Sequence, residues 1–359
     1  MTSDLPDMII GGKGELAGAI PHLLGYRPEE QSVVVLGLQG NRLGPLAATT
    51  SPDVVAHGGF PSQASAGFAR QVGQAFTRYG VTTSIVVGYG ADGPGRARLV
   101  AEALDSYVSP NHEVACWSVD RGQVRSWDRE VGGWSKPELV DSGAEWVLRG
   151  SAPADSRHDM VDSFQPQPAQ AWAPLSSDQQ QELAALPEAD QVGLARDVVR
   201  QLTEPGAGAG PHEYAWLGAL INGPVGVRDA VLGATVTSPG GVEALRAALV
   251  GAPECYRDGL TAVTAATVYV RGHSSELAHE LVDRVNPTGP HARLAGLVRT
   301  SLNMGLDPRG LQRAIVAADR DADDFYRSSP APSRATRALD THPPVKPDVS
   351  RNRNPGVGR

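Results

Sequence analysis

Apolar residues change their spacing once along this chain, and that change constrains the fold more than any other feature. In the first 130 or so residues they fall in short β-branched runs separated by helical stretches. Ser32–Leu38 (SVVVLGL), Val81–Tyr89 and Glu113–Val119 read as buried strands. Ala64–Tyr79, with Phe68, Val72, Ala75 and Phe76 on one face, and Gly93–Val108 read as helices between them. Gln39-Gly40-Asn41-Arg42 predicts a hairpin turn into a short strand over Arg42–Thr49, and Gln123–Trp127 predicts an antiparallel edge strand. Strand alternating with helix implies a parallel sheet with covering helices. The hairpin and the edge strand make it mixed. The expectation is an α/β domain with a mixed, mostly parallel, doubly wound sheet. Ahead of it, Leu16, Ala19, Ile20, Leu23 and Leu24 are helically spaced around Pro21. A proline there removes a donor and clashes with the carbonyl four residues back, so two short helices or a kink are expected.

The chain turns irregular from Trp134, and SFQPQPAQAWAPLSSD is a linker by composition. Beyond it every periodic stretch has the helical period. Helices are expected over Asp178–Leu186, Asp190–Leu202, Glu213–Ile221, Pro224–Val236, Gly240–Leu249, Arg257–Arg271, Ser275–Val285, His291–Met304 and Pro308–Ala318. Cys255–Asn286 has the length of a tetratricopeptide-like hairpin; a general helical bundle accounts for the same residues. The resulting division is an α/β domain over 1–150, a linker over 151–177, an all-helical domain over 178–320 and a tail from 327 to 359.

Charge and cysteine usage narrow the partners. The tail holds seven basic and two acidic residues, so it stands at +5 within a chain of −8 and leaves the preceding residues at −13. An acidic body argues against a nucleic-acid-binding fold, because phosphate binding needs a positive surface. The tail, with its six prolines, reads as solvated and disordered, able at most to touch nucleic acid weakly. Two distant cysteines exclude a disulfide framework. The longest apolar run, Gly259–Val270, is too short for the roughly 18 residues of a membrane span. The first residues lack the pattern of a secretory signal, so the cytoplasm is the expected compartment.

The segment Pro21-His22-Leu23-Leu24-Gly25-Tyr26, followed by Pro28, Glu29 and Ser32 before a valine-rich strand, resembles the opening signature of the actinobacterial domain of unknown function 4192 family. Ser156-Arg157 with Met160 and Phe164, and Gly272, Ala278, Asn286-Pro287 and Leu294-Ala295, resemble two later stretches of that family. The likeness covers roughly residues 10–315. Two places depart: ATTSPDVV stands where the family often has Arg-x-Asp-Leu-Pro, and WDREVGGWSKPELV where many members are cysteine-rich. The resemblance implies the architecture and a bacterial cytosol but no reaction.

Candidate chemistry is sparse. Gly88-Tyr89-Gly90-Ala91-Asp92-Gly93 matches G-x-G-x-x-G between a strand and a helix, where amides, a helix start and Arg96 would favour a phosphate. It follows the second strand rather than the first and no acid sits about 20 residues on, which favours a Gly-rich surface turn. His22, Arg27, Glu29 and Ser32 share one helix-end, turn and strand-start unit. In a parallel sheet that unit lies at the amino edge of the strand, away from the usual ligand side. There His22 would satisfy carbonyls freed by Pro21, and Glu29 would pair with Arg27. Arg157 either clamps an anion or docks the linker on the α/β domain. His158, Asp159 and Asp162, or His273, Glu276, His279 and Glu280, have metal-ligand chemistry but read as solvated pairs. No cofactor and no metal are expected. The leading reading is a protein- or ligand-binding module without catalysis, its partner another protein. The alternative is an enzyme or sensor of a phosphorylated small molecule using Gly88, Gly90, Gly93 and Arg96.

Overall fold

The computed structural model describes residues 12–40, 42–49, 63–141, 143–144, 147, 152–204, 210–271, 274–306 and 308–328. Residues 50–62, residues 205–209, Gly272, His273 and the tail beyond 328 lie outside the described residues.

Helix α1 (Lys13–Leu24) is one continuous helix with Pro21 inside it, not two. Packing accounts for its continuity. Leu16, Ile20 and Leu24 are buried along one stripe. Gly14 and Gly18, one turn apart, let the helix lie directly on the backbone near residue 140. A Cβ at either would come within 2.5 Å of Leu139 O or 2.4 Å of Asp141 O. Gly25, at φ +81°, ends the helix and donates its N–H to Pro21 O.

Strands β1 (Val33–Gln39), β2 (Arg42–Thr49), β3 (Thr83–Tyr89), β4 (Glu113–Asp120), β5 (Gln123–Asp128) and β6 (Gly133–Trp134) lie in the order β2-β1-β3-β4-β5-β6, and β7 (Glu138–Leu139) also pairs with β5. The sheet is mixed, but mostly antiparallel rather than mostly parallel: β3 and β4 form the single parallel pair among the described strands. The hairpin is the cause. Because β2 folds back on β1, the crossover through α2 (Gln63–Arg78) starts from β2. It delivers β3 parallel to β2 but on the far side of β1, so β1 runs against both its neighbours. Nor is β5 an edge, since β6 and β7 take its outer side.

Alternation along the strands sends side chains to two layers. Val33, Val35, Val86, Val114 and Cys116 pack with Ala69, Val72 and Phe76 of α2 and Ala97, Val100 and Leu104 of α3 (Gly93–Asp105). Val34, Leu36, Ile85, Val87 and Tyr89 face the other way, into a cluster that runs on through α1 and the helical half. Apolar packing therefore divides at the plane of the sheet.

The helical half begins after α4 (Arg157–Asp162) and comprises α5 (Ser177–Ala185), α6 (Glu188–Thr203), α7 (Pro211–Ile221), α8 (Val225–Thr237), α9 (Gly241–Val250), α10 (Glu254–Val270), α11 (Ser275–Arg284), α12 (Ala292–Asn303) and α13 (Pro308–Ser328). No strand occurs among its described residues, as the periodicity implied. From Gly259 to Val270 helix α10 is buried on all sides, and it touches α7, α8, α9, α11, α12 and α13, the position of a helix that others surround. Its threonines stay satisfied inside: Thr261 donates to Arg257 O, Thr264 to Leu260 O, and Thr267 shares a bond with Thr235. No helix of the described residues is long and apolar enough to cross a membrane. The segment before α5, loose by composition, buries Phe164, Trp172 and Leu175. Trp172 donates its indole N–H to Ala248 O at 2.9 Å.

Candidate functional site

Reversing β1 relative to β3 moves the residues before it. The turn Tyr26–Ser32 lies at the carboxyl edge of the parallel pair β3–β4, the side on which ligands of α/β sheets bind, not at the amino edge. Ser32 O accepts the N–H of Tyr89 at 2.9 Å, and Ser32 N–H closes the turn on Glu29 O. The chain from residue 154 joins the same edge: Tyr26 and Ala154 form a parallel bridge, with Arg27 N–H on Ala154 O and Ala154 N–H on Gly25 O, both 2.9 Å. Three stretches that are far apart in sequence thus meet at one rim.

The glycine loop sits on this rim, and close backbone approach uses its glycines. A Cβ at Gly88 would lie 2.1 Å from Gly93 O, and one at Gly93 2.6 Å from Gly88 O. Gly90, at φ +82°, has Glu30 O only 2.4 Å from where its Cβ would stand. Gly90 N–H donates to Val119 O and Gly93 N–H to Gly90 O. Each invariant of the G-x-G-x-x-G pattern is therefore matched by a neighbouring main chain. Arg96, one turn into α3, folds back toward Asp92 with Nη2 3.9 Å from Oδ2.

Arg157 docks α4, but chiefly on the helical half. Its Nε lies 2.9 Å from Glu276 Oε2 and its Nη2 3.0 Å from Glu280 Oε1, both on α11. Ser156 caps α4 by accepting the N–H of Asp159. Tyr26 completes the clasp from the sheet side, donating its hydroxyl to Glu276 Oε2 at 3.1 Å. Burial first, and then the Glu276 carboxylate, push the Tyr26 phenol far above its ordinary pKa. Tyr89, wholly buried beside it, is raised in the same way by burial and by Tyr26. Glu276 and Glu280, which at the sequence level had metal-ligand chemistry, thus serve as the anions of this clasp.

Beside the clasp lies an open cleft of about 380 Å³ lined by Glu29, Arg157, His158, Val161, Asp162, Gln165, Glu280 and Arg284. Arg284 reaches under α4, with Nη1 3.4 Å from Phe164 O and Nη2 3.5 Å from Val161 O. His158 and Asp162 pair across one turn at 3.0 Å. Glu29 does not pair with Arg27, whose Nε instead lies 3.9 Å from Asp155 Oδ1. His22 packs its ring against Gly143, where a Cβ would come within 2.6 Å of Nε2. Burial, reinforced by Arg27, holds its pKa below the ordinary value. Among the described residues no three His, Cys, Asp or Glu side chains gather as a metal-binding set.

Of the residues singled out from sequence, Glu29, Arg157, His158, Asp162 and Glu280 meet in the cleft. Gly88, Gly90, Gly93 and Ser32 adjoin it along the rim, His22 and Arg27 flank the turn, and Arg96 lies on the opposite layer. Tyr26 and Arg284 were missed. The Glu280–Arg284 spacing of four on one helix was a signal for the second; nothing local marked the hydroxyl of Tyr26. Compared with known proteins, the family model described as Domain of unknown function (DUF4192) matches residues 14–309. No curated protein and no solved structure matches the chain.

Proposed function

Starting from a chain that belongs to the DUF4192 family, we propose that it is a non-catalytic binding module that grips a charged segment of a partner protein in the cleft between the signature turn, α4 and α11. The observation carrying this reading is the make-up of that cleft: seven of its eight lining residues are polar or charged, with both signs present. Small-molecule sites are mostly apolar with a few placed polar groups. An open cleft of mixed charge matches the polar, charge-steered part of a protein interface instead. Glu29 offers a carboxylate without an ion pair among the described residues, and the Arg284 guanidinium makes only long hydrogen bonds, to carbonyls, with the Glu280 and Asp162 carboxylates near enough to act on its charge.

The test places a photo-crosslinking residue at Gln165, on the cleft, and at Glu102, on the opposite layer. Capture of the same partner at Gln165 alone is expected. Its affinity should fall about tenfold in Glu29→Lys or Arg284→Glu, and fall further as salt rises. Equal capture at both positions, or affinity indifferent to both charge reversals, refutes the reading. The alternative, an enzyme or sensor of a phosphorylated small molecule at the glycine loop, is weighed down by the backbone packing of Gly88, Gly90 and Gly93. It draws support from one side chain, Arg96.

A further inference from the structure

Arg96 carries a charge that the fold buries with little to answer it among the described residues. Its side chain is 9% exposed, and both Nε and Nη1 are closed off from solvent with no hydrogen-bond acceptor. A guanidinium stays protonated at any working pH, and a buried cation without acceptors is among the costliest groups a fold can hold. Its one counter-charge among the described residues, Asp92, stands 3.9 Å from Nη2, beyond hydrogen-bond distance, and points into solvent at 85% exposure. Arg96 also sits at the start of a 13-residue helix, where the helix dipole favours an anion. In that first turn Gly93 N–H is taken by Gly90 O and Pro94 has no N–H, so Gly95 supplies the amide. Space beside the Gly95 Cα is open: a Cβ there would meet nothing within 4 Å.

We propose that the start of α3 is an oxyanion site that takes a phosphate group between the guanidinium of Arg96 and the N–H of Gly95. The ligand approaches from the side of Asp92, whose exposed carboxylate competes for the same cation. None of these residues lines the cleft, and α3 covers the other face of the sheet, so this site stands or falls independently of the partner-binding reading.

The test compares thermal unfolding of the wild type, Arg96→Met and Asp92→Asn in inorganic phosphate against chloride of equal ionic strength, with AMP and ADP as separate arms. In chloride, Arg96→Met should unfold about 2–4 °C above the wild type, because it removes a poorly answered charge while keeping most of the side-chain volume. Phosphate should raise the wild-type midpoint, leave Arg96→Met unmoved, and bind Asp92→Asn about tenfold more tightly. Stronger stabilisation by AMP or ADP assigns the phosphate to a nucleotide; equal or weaker stabilisation assigns it to the free ion. An unmoved wild type, or equal stabilisation of Arg96→Met, overturns the proposal. So does an Arg96→Met protein less stable than the wild type in chloride, since the guanidinium would then have a structural task. The phosphate response of Asp92→Asn against the wild type is a second, independent check: no gain there overturns the proposal as well.

Discussion

Replacing Arg157 with Gln tests whether the clasp joins the two halves of the molecule. Arg157 makes ion pairs of 2.9 and 3.0 Å, but its side chain is 38% exposed and its partners Glu276 and Glu280 are 27% and 42% exposed. Two unit charges 4 Å apart attract by about 4 kcal/mol at the effective dielectric of a protein surface. Solvent access and the entropy of ordering long side chains cut measured pairs of this exposure to about 0.2–1 kcal/mol each. Two pairs on one guanidinium, plus about 0.2–0.5 kcal/mol of repulsion left between Glu276 and Glu280 one turn apart, put the loss at about 1–2 kcal/mol. Urea unfolding of Arg157→Gln, Glu276→Gln and the double variant closes a thermodynamic cycle. A coupling energy of about 0.5–1 kcal/mol that shrinks in high salt is expected. A coupling of zero, or one indifferent to salt, would show that the contact orders these side chains without holding α4 in place.

Other outcomes follow from the same structure. Gly90→Ala puts a methyl 2.4 Å from Glu30 O at a φ of +82°. It should destabilise by about 3 kcal/mol or more in urea titrations, since the left-handed backbone alone costs about 1–2 kcal/mol. Trp172→Ala removes a buried indole and its bond to Ala248 O, and should cost about 3–5 kcal/mol by the same measurement. Burial lowers the pKa of His22, His112 and His291 alike. Because the unfolded chain then binds protons more readily, stability is complete above pH ~6.5 and declines as pH falls below it. His112, which bonds Val81 O and Ser84, should account for part of this. The urea midpoint should drop less between pH 7.5 and 5.5 in His112→Gln than in the wild type, and an equal drop would acquit His112.

The elements were legible because their signals are local. The β-branched run from Val33 onward, the spacing of Phe68, Val72 and Phe76, and the helical period after residue 178 each declare themselves within a dozen residues. Helix α13 ran ten residues past its expected end because nothing after Ala318 resembles a stop signal before Ser328. The direction of the sheet was not legible. Strand–helix–strand order looks the same whether α2 leaves from β1 or from its hairpin partner, and only departure from the partner sets β1 against β3. That choice also moved His22, Arg27, Glu29 and Ser32 to the opposite rim. The loop glycines were read as phosphate cradle or surface turn, whereas Gly90 answers to a carbonyl 60 residues earlier. Arg157 was seen as a docking residue, but its carboxylates lie some 120 residues on, a distance over which composition carries no pairing information.

The plane along which the apolar packing divides bears on how the protein can be dissected. Cutting the chain near residue 176 looks natural from its composition. Such a cut would take away the helical part of the cluster into which Val34, Leu36, Ile85 and Val87 pack, leaving α1 and the stretch around Met160 and Phe164 as the remaining cover of that side of the sheet. The amino-terminal piece would then be prone to clump, while the carboxyl-terminal piece would lose the surface against which its own apolar side chains rest. Fragments intended for separate expression are better drawn to keep the sheet and its helical backing in the same polypeptide.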